Sequence, residues 1–225
     1  MTDTFAGYPA DTLSFLEELG GQDKAWFDAN RSRYQASVVE PTKALVAGVG
    51  ARLAASLAPD ISAEPRSNGS ISPINNDRRF APDKPPYKDH VLLRFWEGPS
   101  RKTSPTLFLR IGVEGIGYGV GAALPDLDRW RALIDDDATG GPLASAITVL
   151  GTGRALDVDG AGYKRVPKPF AEDHPRAALL RHKAGFQARW VEPVPASIGS
   201  ARFVDHCMTR LEACAPIHRW LVTNL

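Results

Sequence analysis

The spacing of hydrophobic residues changes along this chain, and that change restricts the fold. Residues 10–57 carry apolar side chains at helical spacing, whereas 91–96, 106–112 and 116–123 are short apolar segments with turns between them. Helical spacing returns from residue 127 onward. Helices, then clustered strands, then helices are typical of an α+β fold and not of alternating β-α-β units. We therefore predict a mainly antiparallel sheet packed against N-terminal and C-terminal helices.

Residues that favour helix ends predict where several helices begin. Asp11 is a candidate N-cap of the first helix, Asp23 of the second, and Pro41 favours the start of the third, which continues to Pro59. A later helix is predicted over 175–183. The other predicted elements are strands at 154–158 and 186–191 and helices at 127–134, 143–150, 203–211 and 217–221.

Composition limits the class of protein. The 225 residues are 43% hydrophobic, which is enough for a sizeable core, and we predict one domain over 1–225 with a C-terminal helical extension at 199–225. The net charge of +1 disfavours a dedicated nucleic-acid-binding protein. No apolar run long enough for a membrane span and no secretory signal is visible, so we predict a cytoplasmic protein without membrane contact. Cys207 and Cys214 would lie about 10 Å apart along a helix, too far for a disulfide.

The segment 77–90, which we call the first basic loop, concentrates charge and proline. Its cations are Arg78, Arg79, Lys84 and Lys88, its carboxylates are Asp77, Asp83 and Asp89, and its prolines are Pro82, Pro85 and Pro86. Proline excludes an ordinary helix or a central strand here. Phe80 and Tyr87 are predicted apolar anchors. A stiff loop that presents Arg and Lys can hold an anion in a defined geometry.

A second segment, 163–170, is also basic and rigid, and we call it the second basic loop. It contains Tyr163, Lys164 and Arg165, followed by Pro167 and Pro169. We predict that the two loops converge on one pocket for a small phosphate or carboxylate compound. The predicted ligand-binding residues are Arg79, Lys84, Tyr87, Lys88, Lys164 and Arg165. Asp77 and Asp83 are predicted to orient these cations or to transfer protons.

The pair Asp173-His174 has two interpretations. A carboxylate beside an imidazole can orient it for proton transfer. Asp, His and the following Pro175 also fit the start of a helix, where capping residues and proline are favoured. The cap is the favoured interpretation, and Asp173 and His174 remain the candidates for proton transfer if the protein is an enzyme.

Two other patterns are rejected as sites. The stretch 117–122 fits a dinucleotide-binding fingerprint, but it reads as an antiparallel strand with no helix directly after it. His206, Cys207, Cys214 and His218 match no zinc-ligand spacing. We therefore predict no metal and no cofactor.

The order of several motifs resembles a family of conserved hypothetical proteins, domain-of-unknown-function family 2461. The motifs are Phe15-Leu16, Trp26-Phe27, Asn30-Arg31, Tyr34, Asp77, Arg79-Phe80, Asp83-Lys84, Pro86-Tyr87-Lys88, Leu124-Pro125, Arg131, Lys164-Arg165-Val166-Pro167, Asp173-His174-Pro175, Leu179-Leu180 and Lys183. They span roughly residues 10–195. The family commonly has an Arg before the aspartate that matches Asp77, whereas this chain has Ile74-Asn75-Asn76. The resemblance implies a single α+β domain and assigns no activity.

Two functions remain open from the sequence. The first is a net-basic pocket for a small anion, with or without catalysis. The second is a non-enzymatic scaffold that binds a protein partner and in which the charged loops are structural clamps. Binding of RNA or DNA through the same loops is disfavoured by the near-neutral charge.

Overall fold

The computed structural model describes residues 4–79 and 81–225, with Ala161 described by its backbone. The helices are α1 (Asp11–Leu19), α2 (Lys24–Ala29), α3 (Arg31–Tyr34), α4 (Glu40–Ser56), α5 (Leu127–Asp135), α6 (Asp137–Gly151), α7 (Ala177–Leu180), α8 (Phe203–Ala213) and α9 (Ala215–Asn224), with a π-helical turn at Gln35–Val39 and a 3-10 turn at Ala196–Gly199. The strands are β1 (Ile61–Ser62), β2 (His90–Glu97), β3 (Thr106–Gly112), β4 (Gly115–Ala123), β5 (Asp157–Ala161) and β6 (His182–Glu192).

The strands form an antiparallel sheet, so the predicted α+β fold is confirmed. Its order within the described chain is β1-β2-β3-β4-β6-β5, and the predicted meander of β2, β3 and β4 is correct. Along β2, half-buried and buried residues alternate from His90 to Phe95, as expected for a strand with one face on a core. The stretch 117–122 lies inside β4, which agrees with its rejection as a dinucleotide fingerprint.

The chain groups into two compact units. The first unit is Met1–Phe95, Phe108–Gly117 and Val191–Arg210, and the second unit is Trp96–Leu107, Tyr118–Trp190 and Leu211–Leu225. The first basic loop belongs to the first unit and the second basic loop to the second unit. No helix in the described ranges combines the length and the apolar character needed to cross a membrane.

The first unit has its core on α1 and α4. The predicted apolar face of α4 is confirmed, because Leu45, Val49 and Leu53 are fully buried. Asp23 caps α2 as predicted, since its carboxylate accepts a hydrogen bond from the Trp26 N–H at 2.9 Å.

The prediction that Asp11 caps α1 is wrong. Ala10 occupies the cap position and Asp11 is the first helical residue. The Asp11 carboxylate instead accepts hydrogen bonds from Arg33, at 2.5 and 2.9 Å, and from Ser37, at 2.8 Å. The bond from Arg33 is the main reason that the pKa of Asp11 is lowered to about 2. A distant guanidinium therefore engages the carboxylate that local reasoning assigned to a cap.

The second unit has an aromatic core around α5. Trp130 is fully buried, and its ring centroid lies 5.8 to 5.9 Å from those of His182, Phe186 and Trp220. The Trp130 indole N–H donates to the Leu179 carbonyl at 2.8 Å. The helix predicted over 175–183 is corrected to the single turn of α7. Since β6 begins at His182 and pairs there with β5, the chain leaves the helix earlier than the periodicity indicates.

No disulfide joins Cys207 and Cys214, as predicted, and both side chains are buried. Burial raises the pKa of the Cys207 thiol, and it raises that of Cys214 to about 12. A thiol with a raised pKa is a poor nucleophile at neutral pH, so both residues behave as small apolar core residues.

Candidate functional site

The first basic loop is closed at its base by backbone pairing. Asn75 and Tyr87 form an antiparallel bridge, the Asn76 N–H donates to the Pro86 carbonyl at 2.9 Å, and the Lys88 N–H donates to the Ile74 carbonyl at 2.8 Å. Residues 77–85 form the connection between these two short segments. The predicted stiff, pinned loop is therefore pinned at its base by hydrogen bonds as well as by prolines.

Two arginines of this loop bind groups of the loop itself. Arg79 forms a two-pronged ion pair with Asp77, with a shortest distance of 2.6 Å. This pairing lowers the pKa of Asp77 to about 2 and raises the pKa of Arg79. Arg78 donates twice to the Pro82 carbonyl, at 2.5 and 3.0 Å. Asp77 therefore pairs with Arg79, and these guanidinium groups have partners without any ligand.

Lys88 and Asn76 hold the base of the loop. The Lys88 ammonium donates to the Asn75 carbonyl at 2.6 Å and also to the Pro73 carbonyl. Burial lowers the pKa of Lys88. The Asn76 amide donates to the carbonyls of Pro85 and Tyr87, at 2.9 and 3.0 Å. Asn76 immediately precedes Asp77, and in this chain its side chain fastens the loop.

The remaining predicted residues of this loop divide between core and surface. Tyr87 is buried and stacks on Phe27, with ring centroids 4.6 Å apart. Asp83 and Lys84 are exposed near the tip. Phe80, predicted as an anchor, lies outside the described residues. The ligand-binding and proton-transfer roles of this loop stay predictions.

Lys88→Met should lower the free energy of unfolding by about 1–2 kcal/mol, because two backbone carbonyls lose a charged donor while the apolar stem is kept. Urea unfolding measures this. Lys84→Met is the matched control, an exposed lysine of the same loop, and should change stability by less than about 0.5 kcal/mol. Equal effects of the two variants would contradict the clamp role of Lys88.

The second basic loop brings two cations onto one tyrosine ring. The guanidinium carbon of Arg131 lies 5.6 Å from the centroid of Tyr163, and the Lys183 ammonium lies 5.9 Å from it. Arg131 comes from α5 and Lys183 from β6. The backbone N–H groups of Gly162 and Tyr163 both donate to the Arg181 carbonyl, at 3.0 and 3.1 Å, which fixes Tyr163 beside β6. We call Arg131, Tyr163, Lys164, Arg165 and Lys183 the Tyr163 cluster.

Lys164 and Arg165 follow Tyr163 directly and are exposed. Within residues 4–79 and 81–225, neither side chain has a hydrogen bond or an ion pair, and Lys183 has no carboxylate partner. The loop is anchored just after them, because Val166 is buried and its N–H donates to the Glu172 carboxylate at 3.3 Å. In the first loop, Arg78 and Arg79 bind groups of the loop, whereas Lys164 and Arg165 bind no described group of the second loop.

Two arginine nitrogens in and beside this cluster have no hydrogen-bond acceptor among the described residues. The Nε of Arg131 and the Nε of Arg181 are buried and have no hydrogen-bond partner among the residues that the structure describes. The carboxylates near them are Asp128, 3.2 Å from Arg131, and Glu172, 3.7 Å from Arg181. Positive side chains therefore outnumber carboxylates here, which favours the approach of an anion.

His174 has a carboxylate partner, but it is Asp135 and not Asp173. The His174 Nε2 lies 3.3 Å from Asp135, and Nδ1 accepts a hydrogen bond from the Arg176 N–H at 3.0 Å. Since Nδ1 accepts, Nε2 carries the proton in the neutral ring, and it faces the Asp135 carboxylate without forming a hydrogen bond to it. Asp173 is exposed. The prediction that Asp173 or His174 caps this helix is wrong, because Arg176 holds the cap position of α7 and His174 accepts from the N–H of that cap residue.

Other site types have little support in the described ranges. They contain no group of three or more His, Cys, Asp and Glu that could hold a metal ion. An open cleft of about 380 Å³ lies in the first unit and is mostly apolar. It is lined by Thr4, Phe5, Ala44, Ala47, Gly48, Arg52, Ala201, Val204 and Asp205. None of these is a predicted site residue.

Comparison with protein families gives one match. The model of the family described as conserved hypothetical protein (DUF2461) matches residues 11–220. The chain belongs to the DUF2461 family. The match covers both basic loops and reaches beyond the 10–195 span of the recognised motifs. No curated protein and no solved structure matches the chain.

The sequence pointed to only part of the Tyr163 cluster. Arg131 and Lys183 were recognised only as two separate positions that match the DUF2461 pattern. Their contact with Tyr163 was not predicted. They lie 52 positions apart along the chain. A local charge count cannot find such a pair, whereas the second basic loop between them was visible as a run of Lys, Arg and Pro.

Proposed function

We propose that this protein binds a small oxyanion, a phosphate or a carboxylate compound, at the Tyr163 cluster. The observation that carries the proposal is that Arg131 and Lys183 approach one tyrosine ring, next to the exposed and unpaired Lys164 and Arg165. Arginine offers a planar fork that matches carboxylate and phosphate oxygens, and lysine adds a mobile charge. Asp77, Arg78, Arg79 and Lys88 of the first basic loop then have a structural role.

The ion pairing of the two loops supports anion binding at the second loop and not at the first. An anion that binds Arg79 must compete with Asp77, whose pKa of about 2 keeps it charged at all physiological pH values. An anion that binds Lys164, Arg165 or Lys183 displaces only water. Because an ion pair formed on a surface gains little by itself, several cations must act together for measurable affinity. The second loop offers such a group.

The test is a titration with inorganic phosphate, and in parallel with acetate, at constant low ionic strength. A ligand that binds only the folded state raises the melting temperature. At a ligand concentration one hundred times the dissociation constant, it stabilises that state by about 2.7 kcal/mol. The double variant Lys164→Ala/Arg165→Ala should remove most of the shift. The control is Arg79→Ala/Lys84→Ala in the first loop, which should retain it.

Two outcomes would overturn the proposal. If neither anion shifts the melting temperature of the unaltered protein, the anion site does not exist and the scaffold function is favoured. If the first-loop double variant loses the shift and the second-loop variant keeps it, the site lies at the first basic loop. A steep salt dependence of binding to an oligonucleotide would instead favour nucleic acid.

The second candidate function, a scaffold with structural clamps, is favoured by one specific observation. Arg78 binds the Pro82 carbonyl inside the first basic loop, and Lys88 binds the Asn75 carbonyl just before it, as clamps do. This observation describes the first loop and leaves the cations of the second loop unexplained. We therefore place the scaffold function behind anion binding.

A further inference from the structure

A second polar cluster lies in the first unit, where β2 and β3 are neighbours. His90 begins β2, Asp89 precedes it, and Arg110 lies on β3. The His90 Nδ1 is 2.6 Å from an Asp89 carboxylate oxygen. One Arg110 nitrogen lies 3.3 Å from the same Nδ1 and 3.6 Å from Asp89. This cluster is separate from the Tyr163 cluster and does not depend on the proposed function.

The short contact determines the tautomer of His90. A carboxylate only accepts hydrogen bonds, so Nδ1 donates its proton to Asp89. In this tautomer Arg110 forms no hydrogen bond with Nδ1, although its Nη2 lies 3.3 Å away, and its charge is balanced by Asp89. In the neutral ring, Nε2 is then the proton acceptor. It has no hydrogen-bond partner in the described part of the chain and is not sealed from solvent.

Two of the three guanidinium nitrogens of Arg110 have no hydrogen-bond acceptor among the described residues. Its Nη2 faces Asp89, and also Glu114 at 3.7 Å, while Nε and Nη1 have no hydrogen-bond partner within 4–79 and 81–225. Gly112 leaves the space that Nη1 occupies, since a Cβ at that position would lie 3.1 Å from Nη1 and 3.1 Å from the His90 Cβ. The side chain of Arg110 is only 25% exposed, so its position is well defined by its neighbours.

Burial, together with two nearby cations, favours a neutral His90 ring at neutral pH. Burial is the main cause that lowers the pKa of His90, and Arg110 and Lys88 lower it further, while Asp89 raises it. The pKa of Asp89 is itself lowered, chiefly by its bond to His90, so the carboxylate stays charged. A neutral imidazole oriented by a carboxylate is the arrangement of a general base.

We propose that His90 is a general base for a small substrate whose carboxylate or phosphate group is bound by Arg110. In the step, a C–H or O–H bond of the substrate breaks, its electron pair stays on the substrate, and the proton forms a new bond to Nε2. The resulting imidazolium is stabilised by Asp89. The proton later returns to the product, so no oxidant, metal or other co-reactant is needed.

The test uses diethyl pyrocarbonate, which acylates neutral imidazole, with the rate at each histidine followed by peptide mass spectrometry. His90 should react faster than His174, which is the internal control because both of its ring nitrogens are engaged. Acetate should protect His90, since an anion held by Arg110 blocks access to Nε2. The readout is specific for His90, so acetate bound at the Tyr163 cluster does not affect it.

Two variants separate the roles. Asp89→Asn should slow the acylation of His90 several-fold, because Nε2 loses the basicity that the carboxylate provides. Arg110→Met should leave His90 reactive but remove the protection by acetate, and Arg110→Lys, which keeps the charge without the fork, should restore part of it. Circular dichroism confirms that each variant is folded.

The proposal is overturned by either of two results. One is that His90 reacts no faster than His174 or is unaffected by Asp89→Asn. The other is that acetate fails to protect His90 in the unaltered protein, or protects it equally there and in both Arg110 variants.

Discussion

Trp130→Ala should lower the free energy of unfolding by about 3–5 kcal/mol, the usual cost of emptying a large aromatic site in a core. Trp130 is fully buried between His182, Phe186 and Trp220, so the variant leaves a cavity at the centre of the second unit. It also removes the donor to the Leu179 carbonyl. Chemical unfolding followed by circular dichroism measures the loss.

Two further variants make this result specific. Arg129→Ala changes the adjacent, exposed residue of α5 and should alter stability by less than about 0.5 kcal/mol. Trp130→Phe keeps most of the ring but not the indole N–H, so it should fall between the control and Trp130→Ala. A loss below about 1 kcal/mol for Trp130→Ala would mean that the aromatic core of the second unit is not packed as described.

Gly50→Ala and Gly48→Ala should change stability in opposite directions, although both glycines lie in α4. A Cβ at Gly50 would lie 2.2 Å from the Ala63 Cβ, which is fixed to the backbone and cannot move aside. We expect Gly50→Ala to destabilise the protein by about 1–3 kcal/mol through overpacking. A Cβ at Gly48 meets only a Val204 methyl group at 3.5 Å, an ordinary contact.

Gly48→Ala should therefore stabilise the protein by about 0.5–1 kcal/mol, because alanine loses less backbone entropy in a helix. Thermal and urea unfolding of both variants measure the difference. Each glycine is the control for the other, since helix propensity contributes equally at the two positions. If both variants were stabilising, the close approach of Ala63 to α4 would be wrong.

The candidate sites were predicted in part. The two basic loops were recognised from proline and charge, and the ion pair between Asp77 and Arg79 follows from residues two positions apart. The use of Lys88 as a backbone clamp was open, because a lysine that binds carbonyls and a lysine that binds a ligand look the same in a sequence. Arg110 lies 20 positions after His90, and only the neighbouring strands β2 and β3 bring the two together.

The sequence by itself determined the types of the main elements and the α+β class. It placed α4, α5 and the meander of β2, β3 and β4 correctly, because helical and alternating spacing of apolar residues report local geometry. Tertiary structure alone decided where α7 ends, since His182 pairs with β5 and so belongs to β6. It also decided that Asp11 binds Arg33, that His174 faces Asp135, and that Arg131 and Lys183 meet at Tyr163. These contacts join residues distant in the chain, and hydrophobic spacing carries no information about which distant groups become neighbours.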